Sequence, residues 1–267
     1  MTPTGAVYVA RDAGGTAVLF EAGDELIELG RPNHPQSPRW TRGGQFLIWN
    51  ENRRLWLRQV VTRQTVEVSR RSGNRSNEVT TLGDVVYWNR DFQLFRFSTQ
   101  FRKGITATTQ LTAPSVSWWN QFPRADGAEV VYRKTTPCCA DEQRAIARRR
   151  RGGGEEILAD FGGEGVDVDR DYQTAGGWIA FTRPRPGGGR DVWRRTPDGL
   201  EQQLTISGAG VIDALAPNGD VMVLEGRSRV LYAVSGTFSV VGSALGESVF
   251  LGGAWFVQIG NTLFAVA

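Results

Sequence analysis

The stretch Gly176-Gly177-Trp178-Ile179-Ala180-Phe181-Thr182-Arg183-Pro184, followed by Asp191-Val192-Trp193-Arg194-Arg195-Thr196, carries the pattern on which the fold rests. A two-residue hairpin turn needs positive φ at its central positions, which glycine tolerates and β-branched residues do not. The apolar and aromatic run behind the glycines reads as a buried strand. The second run mixes apolar and polar residues as a half-exposed strand should. The unit is therefore a tight turn, a buried strand and a second strand paired with it.

The same unit recurs along the chain. Its turns are Gly14-Gly15, Gly43-Gly44, Gly83-Asp84, Asp126-Gly127, Asn218-Gly219 and Gly252-Gly253. Apolar runs follow each, such as Phe46-Leu47-Ile48-Trp49, Val85-Val86-Tyr87-Trp88 and Val130-Val131-Tyr132. In the longer units a third stretch appears, at 65–70, 156–161, 202–207 and 238–243. A period of about 40–45 residues with four strands in each unit is the signature of propeller blades. Helical repeats are excluded by the density of glycine and β-branched residues. The expectation is an all-β chain, one β-propeller domain over residues 1–267, built of four-stranded antiparallel blades. Seven turns favour seven blades, and six is the alternative if the two short terminal units share one blade.

Composition agrees with a globular domain: 40% of the 267 residues are hydrophobic and 22% charged. Nine Trp, thirteen Phe and five Tyr supply the bulk of an extensive core. Lys103 and Lys134 are the only lysines, so the basic charge is nearly all arginine, the usage of a GC-rich bacterial genome; the net charge is +3. No apolar run approaches the roughly 20 residues that span a bilayer. Met1 to Gly5 has neither a basic nor an apolar region, so it does not read as a signal peptide. The compartment stays open: cytoplasmic, or periplasmic or secreted after removal of a signal. Cys138 and Cys139 are adjacent in a loop-like stretch; they can close on each other as a vicinal disulfide or remain thiols.

The segment Ser37-Pro38-Arg39-Trp40-Thr41-Arg42-Gly43-Gly44 resembles the opening of a TolB-like repeat, one of the WD-type propeller repeats. Thr196-Pro197-Asp198-Gly199, leading to Leu204-Thr205, and Ala216-Pro217-Asn218-Gly219 are similar to the same family's turns. The resemblance implies the propeller fold and a bias toward protein–protein interaction.

Chemistry-bearing constellations are few. His34 sits in a Pro-bounded linker, and the chain lacks a nucleophile elbow, a P-loop and a dinucleotide fingerprint. Asp167, Asp169 and Asp171, read as a strand before the Gly176-Gly177 turn, would share one face, and Ca²⁺ is the cation such a triad would take. The run Arg148-Arg149-Arg150-Arg151 and the loop containing Arg185 could bind an anion on one face of the disc if the two are equivalent connections. Nucleic acid is not expected, because alternation splits the run between two faces and Glu155-Glu156 offset its charge. Most tryptophans suit packing between sheets; Trp118 and Trp119, being neighbours, cannot both do so and are candidates for surface recognition. The expected function is a monomeric, non-catalytic scaffold, without cofactor, that binds a protein or peptide on a disc face or at the channel mouth. The alternative is a carboxylate- or metal-dependent hydrolase or lyase of a carbohydrate or lactone.

Overall fold

The computed structural model of the chain describes residues 7–11, 17–22, 26–30, 39–40, 46–51, 54–59, 62–69, 72–79, 84–89, 91–113, 117–126, 129–137, 142–150, 152–243, 245–251, 253–259 and 262–266. Among these, every regular element but one is a strand; the exception is a single 3-10 turn at Phe101–Lys103. No helix among them is long and apolar enough to cross a membrane. His34, Cys138, Cys139 and Arg151 lie outside the described residues.

Two compact units are present. The first comprises Met1–Ser115 and Asn120–Pro123. Its sheet I contains β1 (Val7–Arg11), β2 (Ala17–Ala22) and β3 (Leu26–Gly30). Sheet II contains β4 (Arg39–Trp40), β5 (Phe46–Glu51), β6 (Arg54–Gln59) and β7 (Thr65–Ser69). Sheet III contains β8 (Ser72–Val79), β9 (Val85–Asn89), β10 (Leu94–Gln100) and β11 (Ile105–Gln110).

The second unit comprises Val116–Trp119 and Arg124–Ala267, so β12 contributes residues to both. Sheet IV contains β12 (Trp119–Asp126), β13 (Glu129–Thr135), β14 (Arg144–Arg150) and β15 (Glu155–Gly162). Sheet V contains β16 (Tyr172–Ala175), β17 (Trp178–Pro184), β18 (Arg190–Arg195) and β19 (Glu201–Gln203). Sheet VI contains β20 (Gly210–Leu215), β21 (Val221–Glu225), β22 (Ser228–Tyr232) and β23 (Phe238–Ser243). Sheet VII contains β24 (Glu247–Leu251), β25 (Ala254–Ile259) and β26 (Thr262–Ala265). Strands pair with their chain neighbours in antiparallel meanders, as the repeating unit requires.

The glycine turns do what their chemistry permits. Ala175 pairs with Trp178 across Gly176 and Gly177, whose φ values are +60° and +80°. Both central residues are thus left-handed, and the strands on either side keep their twist. Leu251 pairs with Ala254, and Gly253 before Ala254 has φ +87°.

Sheets II and III pack face to face in the first unit, as do sheets IV to VII in the second. Between sheets II and III, Ile48, Leu55, Leu57, Val85 and Phe97 form one core. Between IV and V it is Val131, Ile146, Phe161, Tyr172 and Phe181, and between V and VI it is Ala180, Val192, Ile212 and Val223. Trp255 and Met222 continue the stack toward sheet VII. Within sheet II, Trp49 and Trp56 stack on each other as cross-strand partners with ring centroids 6.5 Å apart, a contact inside one sheet and not the expected packing of tryptophans between sheets.

A side-chain clamp recurs at the start of the third strand in sheets III and V. The Thr205 hydroxyl accepts the Val192 N–H at 2.9 Å and meets the Asp191 carboxylate at 3.3 Å. The Thr112 hydroxyl accepts the Leu94 N–H at 2.9 Å and donates to Gln93 Oε1 at 2.9 Å. In both places the preceding leucine, Leu204 or Leu111, donates its N–H to the third strand at 2.8 Å. The clamp also explains why the stretch 202–207 yields only the three-residue β19: Thr205 leaves the ladder to bury its hydroxyl against Asp191.

Candidate functional site

The acidic stretch is not a strand. Residues 167–171 form a turn, with the N–H of Asp171 and of Arg170 both donating to the Asp167 carbonyl, at 2.8 and 3.2 Å. A turn has no period of two, so Asp167, Asp169 and Asp171 do not share a face, which corrects the expected alternation. Asp171 is buried and accepts hydrogen bonds from the Thr182 hydroxyl at 2.7 Å, the Asp167 N–H at 2.6 Å and the Arg190 guanidinium. Asp169 is 78% exposed and paired with Arg124 at 2.6 Å. Among the described residues no group of three or more His, Cys, Asp or Glu side chains is placed to hold a metal ion. The carboxylates are engaged by arginines and backbone N–H groups instead.

The two basic segments are not equivalent connections. Arg148, Arg149 and Arg150 end β14, the third strand of sheet IV, whereas Arg185 follows β17, the second strand of sheet V. In an antiparallel meander, successive turns alternate ends, so the two loops lie at opposite ends of their sheets. Arg195, at the end of β18, reaches Glu156 at the start of β15, which fixes this orientation. Arg148 binds Glu156 at 2.6 Å and Glu129 at 3.3 Å, and Arg150 lies 3.5 Å from Glu129. Burial pushes Glu156 up, but the hydrogen bonds and charges of Arg148 and Arg195 outweigh it and hold the carboxyl below its ordinary value. Trp118 and Trp119 are both half-buried, and Lys134 Nζ sits 5.2 Å from the centre of the Trp118 ring.

One open groove of about 330 Å³ is built on sheet V alone, and the sequence did not signal it beyond Arg185. Its lining comes from Pro184, Arg185 and Pro186 at and just beyond the end of β17, from Trp193 and Gln203 on β18 and β19, and from Ile206 beyond β19. Two features position it. The hairpin tip carries three successive glycines with positive φ, and Gly189 lies so close to Gly208 that a Cβ there would fall 2.2 Å from the Gly208 carbonyl oxygen. The buried Asp191 carboxylate then ties the segment after β19 to the hairpin: it accepts from Gln203 Nε2 at 3.1 Å and the Gly208 N–H at 3.0 Å, and lies 3.4 Å from Arg185 Nε. Arg185 Nη1 donates to the Ile206 carbonyl at 2.7 Å. Arg183 lies over the Trp193 ring at 4.5 Å and donates to Glu201 at 2.8 Å. Ile206 is 79% exposed.

No family model matches the chain, and no curated protein is significantly similar to it. Solved structures do match. Dipeptidyl peptidase 4 from Porphyromonas gingivalis aligns with a TM-score of 0.54 and 11% identity over 94% of this chain and 46% of its own. The β-propeller domain of the trilobed protease from Pyrococcus furiosus gives 0.54 and 10% over 97% and 88%. A prolyl endopeptidase gives 0.51 and 12% over 97% and 48%. The fold is propeller-like. The chain spans about half the length of the two full peptidases it matches. A putative TolB from Agrobacterium tumefaciens aligns with a TM-score of 0.42 and 15% identity over 91% of this chain and 84% of its own. These matches correct the expectation of a purely non-catalytic binding scaffold, with a carbohydrate or lactone hydrolase behind it. The solved structures it matches include two peptidases and the β-propeller domain of a protease.

Proposed function

We propose that the chain serves peptide hydrolysis as the propeller part of a peptidase, handling peptide substrates for a hydrolytic domain joined to it or associated with it. The observation that carries the reading is the alignment of nearly the whole chain, 94–97%, with propeller-bearing peptidases. The matched share of those longer chains, about half, leaves room for a separate hydrolytic domain in them. In the same reading residues 1–267 are one propeller domain of six or seven blades, and the groove on sheet V is a surface on which an extended peptide can rest. Its mix of apolar and fixed polar groups is typical of sites that orient a ligand.

The test is to isolate the protein intact from its native cells, fractionate it by size under native conditions and assay each fraction with fluorogenic short peptides. Peptide hydrolysis peaking with the chain is the expected result. Fractions rich in the chain that cleave no peptide from a broad set would overturn the reading.

A further inference from the structure

The groove on sheet V contains a pair of guanidinium groups whose bonding is half complete. Arg183 and Arg185 stand two residues apart on and just beyond β17, and both line the groove. Arg183 spends Nε on the Leu158 carbonyl at 2.9 Å and Nη2 on Glu201 at 2.8 Å. Arg185 places Nε beside Asp191 and spends Nη1 on the Ile206 carbonyl. Arg183 Nη1 and Arg185 Nη2 have no acceptor among the described residues. A guanidinium offers five N–H donors in a fixed fork, and its strongest partners are carboxylates and phosphates.

Both forks are held in place before any ligand arrives. Arg183 is stacked between the Phe181 and Trp193 rings, at 4.8 and 4.5 Å, and Arg185 is anchored to a carboxylate that is itself buried. Such fixing lowers the ordering cost of binding. Next to the open donors stand apolar groups, the exposed Ile206 and Pro186 and the half-buried Pro184. A small inorganic anion would leave those groups wet. A carboxylate carried on an extended chain with an apolar neighbour would use both features. The groove is open to solvent, so the chain bearing the carboxylate need not end there.

We infer that this groove is a subsite for the side-chain carboxylate of an Asp or Glu in an extended peptide, with Arg185 as the principal donor, Arg183 as the second and Ile206 covering the residue beside it. This assignment rests on the peptide reading above and adds a preference that the reading does not require. Because Asp191 and Glu201 already offset the two arginines, the contact should supply selectivity more than tight binding, and added salt should weaken it.

The experiment measures fluorescence anisotropy of dye-labelled peptides with the whole chain. One probe carries a single Glu between leucines and a C-terminal amide. The second replaces Glu by Gln, and the third keeps Gln but has a free C-terminal carboxylate. The expected result is that the Glu peptide binds about tenfold more tightly than the other two, and that Arg185→Gln removes the difference. Arg185 is 42% exposed, so this substitution leaves the sheets intact, and circular dichroism checks that it does. Ile206→Ser should weaken all three peptides together. Equal binding of Glu and Gln peptides, preference for the free C-terminus, or an Arg185→Gln variant that keeps the preference would each overturn the subsite. Peptide hydrolysis by the native preparation is scored separately, with neutral peptides, so the subsite can fail while the peptidase reading stands.

Discussion

Replacing Arg229 by methionine should destabilise the protein strongly. The side chain is 1% exposed and lies in β22, where Nε donates to Asp213 at 2.9 Å. Its two terminal nitrogens donate to three carbonyls, those of Ser243, Leu245 and Gly246, at 2.8, 2.9 and 2.8 Å. The guanidinium therefore closes the passage from sheet VI to sheet VII, and Asp213 also receives the Ser248 N–H at 3.2 Å. Methionine keeps much of the volume but leaves a buried carboxylate without its counter-charge. Breaking a buried pair in this way costs about 3–5 kcal/mol. With a urea slope of roughly 3 kcal/mol per molar, suited to a chain of this size, the unfolding midpoint should fall by about 1–1.7 M. Against a total stability of about 5–15 kcal/mol, such a loss is easily resolved. Removing both partners, Arg229→Met with Asp213→Leu, should recover part of it, because no lone charge then remains although the carbonyls of Ser243, Leu245 and Gly246 and the Ser248 N–H still lose their partners. A loss below about 1 kcal/mol, or a double variant no better than the single one, would refute the reasoning.

Three further expectations follow from particular contacts. Gly176→Ala should cost far more than Gly187→Ala, since a Cβ at 176 meets the Pro217 carbonyl oxygen at 2.0 Å whereas none of the heavy atoms near 187 lies within 4 Å; thermal unfolding of the two separates steric conflict from the roughly 1–2 kcal/mol of left-handed strain they share. Thr205→Val and Thr112→Val should each lose about 1–3 kcal/mol in denaturant titrations, and by similar amounts, because each leaves a strand N–H and a buried polar partner unsatisfied. Glu156 titrates below its ordinary value in the folded state, so its contribution to stability is complete above that value and lost as pH falls through the lowered one; Arg195→Gln should move its NMR titration upward, and an unmoved titration would remove Arg195 as a cause.

Much of the strand framework was legible because its signals are local. Gly176-Gly177 announces a hairpin through backbone chemistry alone, and the fully buried runs at β5, β13, β17 and β21 are too apolar to sit anywhere but between sheets. The strands the sequence concealed are short or polar. β8 reads Ser-Gly-Asn-Arg-Ser-Asn-Glu-Val, and β11 is exposed along its whole length, so neither shows the apolar content that marks a core strand. The aspartates at 167, 169 and 171 misled for a related reason: spacing by two suggests a strand, but hydrogen bonds within the stretch close a turn there before Tyr172 begins β16. Leu111-Thr112 was a readable signal, since it repeats Leu204-Thr205 and makes the same clamp. The groove could not be read at all. It exists because the segment after β19 folds back on the β17–β18 hairpin, and no sequence spacing encodes that return.

The most direct measurement is peptide hydrolysis in a native preparation before and after the chain is removed with an antibody raised against it. Short-peptide cleavage that falls in step with the amount of chain removed is the expected result. Cleavage that stays unchanged after complete removal would contradict a role for this propeller in peptide hydrolysis.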